Sequence, residues 1–123
     1  MALKSILAVG AGGAIGAVLR YIISLIPFEG DFPTATFLVN VLGAFALGFI
    51  SGLVIDKDVT KELELFFKTG MCGGFTTFST FSLEAITLIQ GGKAIMGIVY
   101  IILSLAGALA GVFFGLTLGK AVV

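Results

Sequence analysis

Four apolar runs, each long enough to cross a bilayer, limit what this chain can become. A spanning helix needs about 20 predominantly apolar residues, and residues 3–26, 34–55, 62–89 and 94–118 each meet that length. Short polar loops separate them. Pro27-Phe28-Glu29-Gly30-Asp31-Phe32-Pro33 ends the first run, Asp56-Lys57-Asp58 the second and Gln90-Gly91-Gly92-Lys93 the third. Both prolines fall in the first loop, so neither interrupts a run. No loop can hold a second domain. The expectation is an all-α membrane protein with one four-helix domain over residues 1–123.

Composition narrows the function classes. Only 11% of the residues are charged, against about 25% in soluble domains, and the mean hydropathy is +1.21. The formal net charge is zero, so there is no basic footprint for nucleic acid. The chain has no His, which removes the usual neutral-pH acid–base and the commonest metal ligand. An enzyme would lack a nucleophile–base pair. The single Cys72 excludes an intrachain disulfide and a Cys-based zinc site. Residues 1–20 have some features of a signal peptide, with Lys4 before a small apolar run. However, Arg20 and Tyr21 lie inside the run, which therefore reads as a span. With the termini inside, the cytoplasmic side would hold Lys4, Lys57, Lys61 and Lys120 and the outer loops only Lys93. The positive-inside rule leans that way.

Glycines and small residues at intervals of four mark helix faces that admit a close neighbour. Gly12 and Gly16 form such a seam in the first run, Ala44, Gly48 and Gly52 in the second, and Gly107, Gly111, Gly115 and Gly119 in the fourth. The third run shows none. Three seams exceed what a small bundle needs, and this predicts a homo-oligomer.

Polar groups inside apolar runs are costly and tend to be functional. Arg20 is late in the first run, where it either snorkels or attracts an anion. Thr36 and Asn40 are one turn apart in the second. Thr36 can satisfy itself on a carbonyl, whereas the Asn40 amide needs partners. Glu84 is the one acid deep in a run, with Arg20 or a hydroxyl as its simplest partner. Tyr100 and Ser104 share a face in the fourth run, and Lys68 is close enough to its helix start to snorkel. The densest cluster is Gly73-Gly74-Phe75-Thr76-Thr77-Phe78-Ser79-Thr80-Phe81. Low helix propensity at the glycines predicts a break of the third helix over Gly73–Thr77. Such a break is tolerated in a membrane only where it is buried in protein or lines water. Freed carbonyls suit a hard cation and helix N-termini suit anions. Beyond the break, Phe78 and Phe81 share one face and Thr80 and Glu84 another. Neutral hydroxyl and amide donors, with aromatic edges that are positive at the rim, would let a small anion pass without trapping it.

Gly16–Arg20 (GAVLR), the Thr36-Phe37-Leu38-Val39-Asn40 block with Gly43, and above all GGFTTFSTF with Glu84 after it resemble the CrcB/Fluc family of fluoride channels. The resemblance covers essentially the whole chain. It implies passive fluoride export across the cell membrane by an antiparallel, dual-topology homodimer with two pores. Dual insertion implies near-zero Lys/Arg bias, unlike the lean above. By the same resemblance, Phe78 and Phe81 present ring edges to the ion and Asn40 is the pore asparagine. Thr36, Ser79, Thr80, Tyr100, Ser104 and Glu84 match polar positions of the pathway, and Arg20 matches a vestibule arginine. Gly73 and Thr76 match positions whose backbone carbonyls, from both subunits, hold a structural sodium ion. Phe75 has no role in this reading. Two other classes compete. A small multidrug exporter is also a four-span dimer, but it wants an acid in the first span, where this chain has Arg20. A non-conducting assembly subunit would need only the glycine seams.

Overall fold

The computed structural model describes residues 2–123, and every regular element in that range is helical. Helix α1 spans Ala2–Ser24, α2 Thr34–Val54 and α6 Ala94–Ala121. Each is long and apolar enough to cross a membrane. Between α2 and α6 the chain forms α3 (Lys61–Glu64), a π-helical stretch (Leu65–Cys72), α4 (Gly73–Phe75) and α5 (Ser79–Gln90). No single piece of this third segment reaches spanning length.

Local chemistry sets the ends of the third segment. The Thr60 hydroxyl accepts from the Leu63 N–H at 3.3 Å, and Glu62 and Glu64 occupy the first turn of α3, where the helix dipole favours acids. From Leu65 the winding loosens. The Gly73 N–H reaches the Lys68 carbonyl, five residues back, the spacing of a π-helix. The far end of α5 closes with the Lys93 N–H on the Leu88 carbonyl at 2.8 Å. Gly92 supplies the positive φ of 86° that this helix-ending turn requires.

The break does not start where the glycines predict. The helix runs through Gly73 and Gly74 to Phe75, and the chain opens over residues 76–78, with Thr76 extended at φ −87° and ψ 160°. The glycines have a different job. A Cβ on Gly74 would meet the Gly13 carbonyl oxygen at 2.6 Å, and one on Gly70 the Val9 carbonyl oxygen at 2.8 Å. From the other side, a Cβ on Gly12 or Gly16 would collide with the Phe66 or Met71 carbonyl. The third segment therefore does have a seam, and it closes on that of α1.

The remaining seams close inside the subunit as well. A Cβ on Gly48 would collide with the Val112 carbonyl, and Cβ atoms on Gly115 and Gly119 would collide with the Phe45 and Phe49 carbonyls. Helices α2 and α6 thus lie backbone against backbone. The seams are satisfied within one chain and carry no argument for an oligomer. The small core joins α5 to α6 through Phe81, Ala85 and Tyr100, with Phe32, Phe37, Leu88 and Ile101 against them. Large apolar side chains such as Leu3, Ile95 and Leu109 point outward, as on a surface solvated by lipid.

Candidate functional site

Opening a helix in a membrane frees backbone groups that each cost several kcal/mol if left unpaired. Four of those freed here are taken up by side chains. Asn40, on α2, faces the break and pairs with Thr77 twice. Its Oδ1 accepts from the Thr77 N–H at 2.7 Å, and its Nδ2 donates to the Thr77 carbonyl at 2.9 Å. The amide acts as a substitute peptide group. Arg20 donates from Nε to the Gly74 carbonyl at 3.1 Å. The Thr76 N–H and hydroxyl both donate to the Cys72 carbonyl at 3.1 Å. The Thr77 hydroxyl accepts from the Thr80 N–H at 3.3 Å, capping α5. The N–H groups that would have closed on Gly73 and Thr76 therefore go to Asn40 and Thr77, leaving those two carbonyls free of helical bonds.

Glu84 pairs with two hydroxyls. Thr36 donates to Oε2 at 3.0 Å and Tyr100 donates to Oε1 at 2.9 Å. Of the two simple partners the sequence offered for Glu84, the hydroxyl holds and Arg20 lies elsewhere. Thr36 does not bond back to its own helix. Tyr100 is fully buried, and the Phe32 and Phe81 rings meet it edge-on with centroids 5.3 and 5.1 Å away. Phe78 and Phe81 do share a side, with centroids 5.7 Å apart. They differ in depth: Phe81 is 6% exposed and Phe78 75%.

A cavity of about 310 Å³ collects much of this chemistry. Asn40, Gly73, Thr76, Thr77, Phe78, Phe81 and Ser104 lie on its wall, with Gly43, Ala44, Leu47, Lys68 and Cys72. The Ser104 hydroxyl is buried and has no hydrogen-bond partner among the described residues. Ser79 and Thr80 stand exposed at the start of α5, off the cavity wall. Thr36, Glu84 and Tyr100 form a separate group beside it. Phe75 now has a place, since its ring lies against Gly43, 3.1 Å from where a Cβ would sit. Sequence reasoning missed Thr77 as the Asn40 partner and Lys68 as a wall residue. Lys68 stands four and five residues before Cys72 and Gly73; the first spacing shares a face on any α-helix, and π winding adds the second.

A break clamped by side chains from two other helices, beside a cavity lined by neutral donors and Lys68, fits the sequence resemblance. The family model described as CrcB-like protein, Camphor Resistance (CrcB), matches residues 7–116. The chain belongs to this CrcB family. A relative from Chlorobaculum tepidum, named fluoride-specific ion channel FluC, is 48% identical over 123 residues, covering 98% of both chains. Relatives with the same name from Ruminiclostridium cellulolyticum and Rhizobium meliloti are 47% and 42% identical. These alignments cover 96% and 98% of this chain and 94% and 100% of the relatives. As a CrcB protein with three helices of spanning length and a fourth, broken segment, the chain is a multi-pass membrane protein.

Proposed function

We propose that this chain is a fluoride-specific ion channel that lets fluoride leave the cell passively across the cell membrane, lowering cytoplasmic fluoride. One observation carries the reading: a broken helix whose neighbouring amide, hydroxyls and aromatic rings converge on one cavity. Full-length similarity to proteins named for fluoride conduction supports it. Fluoride is small and strongly hydrated, and its water has to be replaced by donors that do not hold it. The second proton of the Asn40 Nδ2, the Ser104 hydroxyl and the ring edges of Phe78 and Phe81 are neutral donors of this kind. Ser79 and Thr80 extend the polar path outward. Thr36, Tyr100 and Glu84 form a hydroxyl–carboxylate group beside it, and Arg20 is the vestibule cation.

The functional unit in this reading is an antiparallel, dual-topology homodimer. A structural sodium ion would be held by the Gly73 and Thr76 carbonyls of both subunits. The donor set fits, because these carbonyls have lost their helical partners and both residues line the cavity. No group of three His, Cys, Asp or Glu side chains converges among the described residues, so the ligands would be main-chain oxygens. Bound there, sodium would supply positive charge at a buried interface.

The test is purified protein in liposomes with a fluoride electrode. Rapid fluoride efflux with negligible chloride flux is the expected result. A folded protein that passes neither ion would return the chain to the assembly-subunit class. Phe81→Ile and Asn40→Asp are expected to slow fluoride efflux by at least tenfold (about 1.4 kcal/mol). Normal conduction by both would remove the pathway assignment.

A further inference from the structure

Among the described residues, Lys68 carries the only charged side chain on the wall of the cavity that holds Asn40, Phe78, Phe81 and Ser104. Its sequence neighbours do not neutralise it. Glu64 precedes it by four residues, the spacing that pairs opposite charges on an α-helix. No ion pair joins the two among the described residues. Glu64 lies instead on a different cleft, with Val59, Leu63 and Phe67. The one ion pair among the described residues joins Lys93 to Asp31. The cavity therefore has a net positive charge, bounded by low-dielectric helices that focus its field. Lys68 is half-buried and two turns from the start of the third segment, so its charge sits towards one end of the cavity.

We propose that Lys68 is an anion-recruiting residue: it concentrates fluoride at the entrance to the donor path. The inference rests on the fluoride-channel reading. It separates two tasks. Capture from water is long-range and electrostatic, whereas selection belongs to the neutral donors deeper in. A charge at the mouth raises the local anion concentration without creating a site too tight to leave.

Steering by an exposed or half-exposed charge is screened by salt, over about 10 Å at 0.1 M, while a structural role is not. Fluoride efflux from liposomes is therefore measured for wild type, Lys68→Gln and Lys68→Arg. The measurement is made at low ionic strength and again with added potassium glutamate. The expected result is a several-fold loss in Lys68→Gln at low ionic strength that closes towards wild type as salt rises, with Lys68→Arg close to wild type throughout. Lys68→Gln equal to wild type at low salt would overturn the proposal, as would a loss of the same size at every ionic strength. Absence of fluoride efflux from wild type would instead overturn the channel reading, so the two failures are distinguishable.

Discussion

Asn40 shows how much one side chain can settle. Its amide meets both the N–H and the carbonyl of Thr77, so it holds the break open while remaining on the cavity wall. Asn40→Asp keeps the acceptor and loses the donor. The Thr77 carbonyl would be left unpaired beside a new negative charge, at a cost of about 1–3 kcal/mol. A lower thermal midpoint in detergent, measured by fluorescence, is expected alongside the loss of flux. Tyr100→Phe poses a simpler question. It removes one of the two hydroxyls on Glu84 and leaves the Phe32–Tyr100–Phe81 aromatic packing in place. Stability should fall by about 1–2 kcal/mol, read from the same midpoint, and fluoride efflux should slow. An unchanged midpoint would mean that water replaces the hydroxyl. Arg20, tied to the Gly74 carbonyl, compensates a group freed by the break.

At the scale of elements, the glycines decide how helices meet. Where two backbones touch, even one methyl is too much. Gly16→Ala would press against the Met71 carbonyl and Gly115→Ala against the Phe45 carbonyl. Both should lower the yield of monodisperse protein on size-exclusion chromatography. Gly10→Ala, with nothing within 4 Å of the new Cβ, should behave as wild type. It also replaces a helix-interior glycine, worth up to about 1 kcal/mol in its favour. Failure of Gly10→Ala alone would mean that a contact beyond the subunit occupies that face. The break itself reflects a contest between elements. Helix α4 ends because Asn40 and Arg20, from α2 and α1, compete for the groups of the next turn.

For the whole molecule, the surface around Gly73 bears on assembly. Gly73 faces open space within the subunit, its nearest atom being the Lys68 carbonyl oxygen at 3.9 Å from an added Cβ. Gly73→Ala should thus leave the subunit fold intact. If that surface is the dimer interface, the same change should weaken the dimer, as measured by single-molecule photobleaching in liposomes. Replacing sodium with N-methylglucamine should slow fluoride efflux, and restoring sodium should recover it. Antiparallel insertion makes a further prediction. With Cys72 buried, Lys93→Cys should react with an impermeant maleimide from both faces of the membrane in similar amounts. Labelling from one face only would support the orientation given by the Lys/Arg count.

The chain's hydropathy and loop chemistry were enough to read an all-helical membrane protein, because burying apolar runs in lipid is a local property of each run. The motif around Phe78 likewise placed the family and most of the polar residues worth testing. Partnership was not legible in the same way. Gly73 and Gly74 looked like a break because propensity is a property of the isolated helix. In the fold, Gly70 and Gly74 are contact surfaces for α1, and the break falls at Thr76, where Asn40 is within reach. The glycine seams looked like surplus for an oligomer, yet each has its complement on another helix of the same chain. Lys68 looked like a snorkelling residue, yet the fold sets it on the cavity wall and leaves Glu64 on another cleft. Each of these outcomes depends on which helices become neighbours, and that is settled by backbone-to-backbone packing over distances that no local pattern encodes.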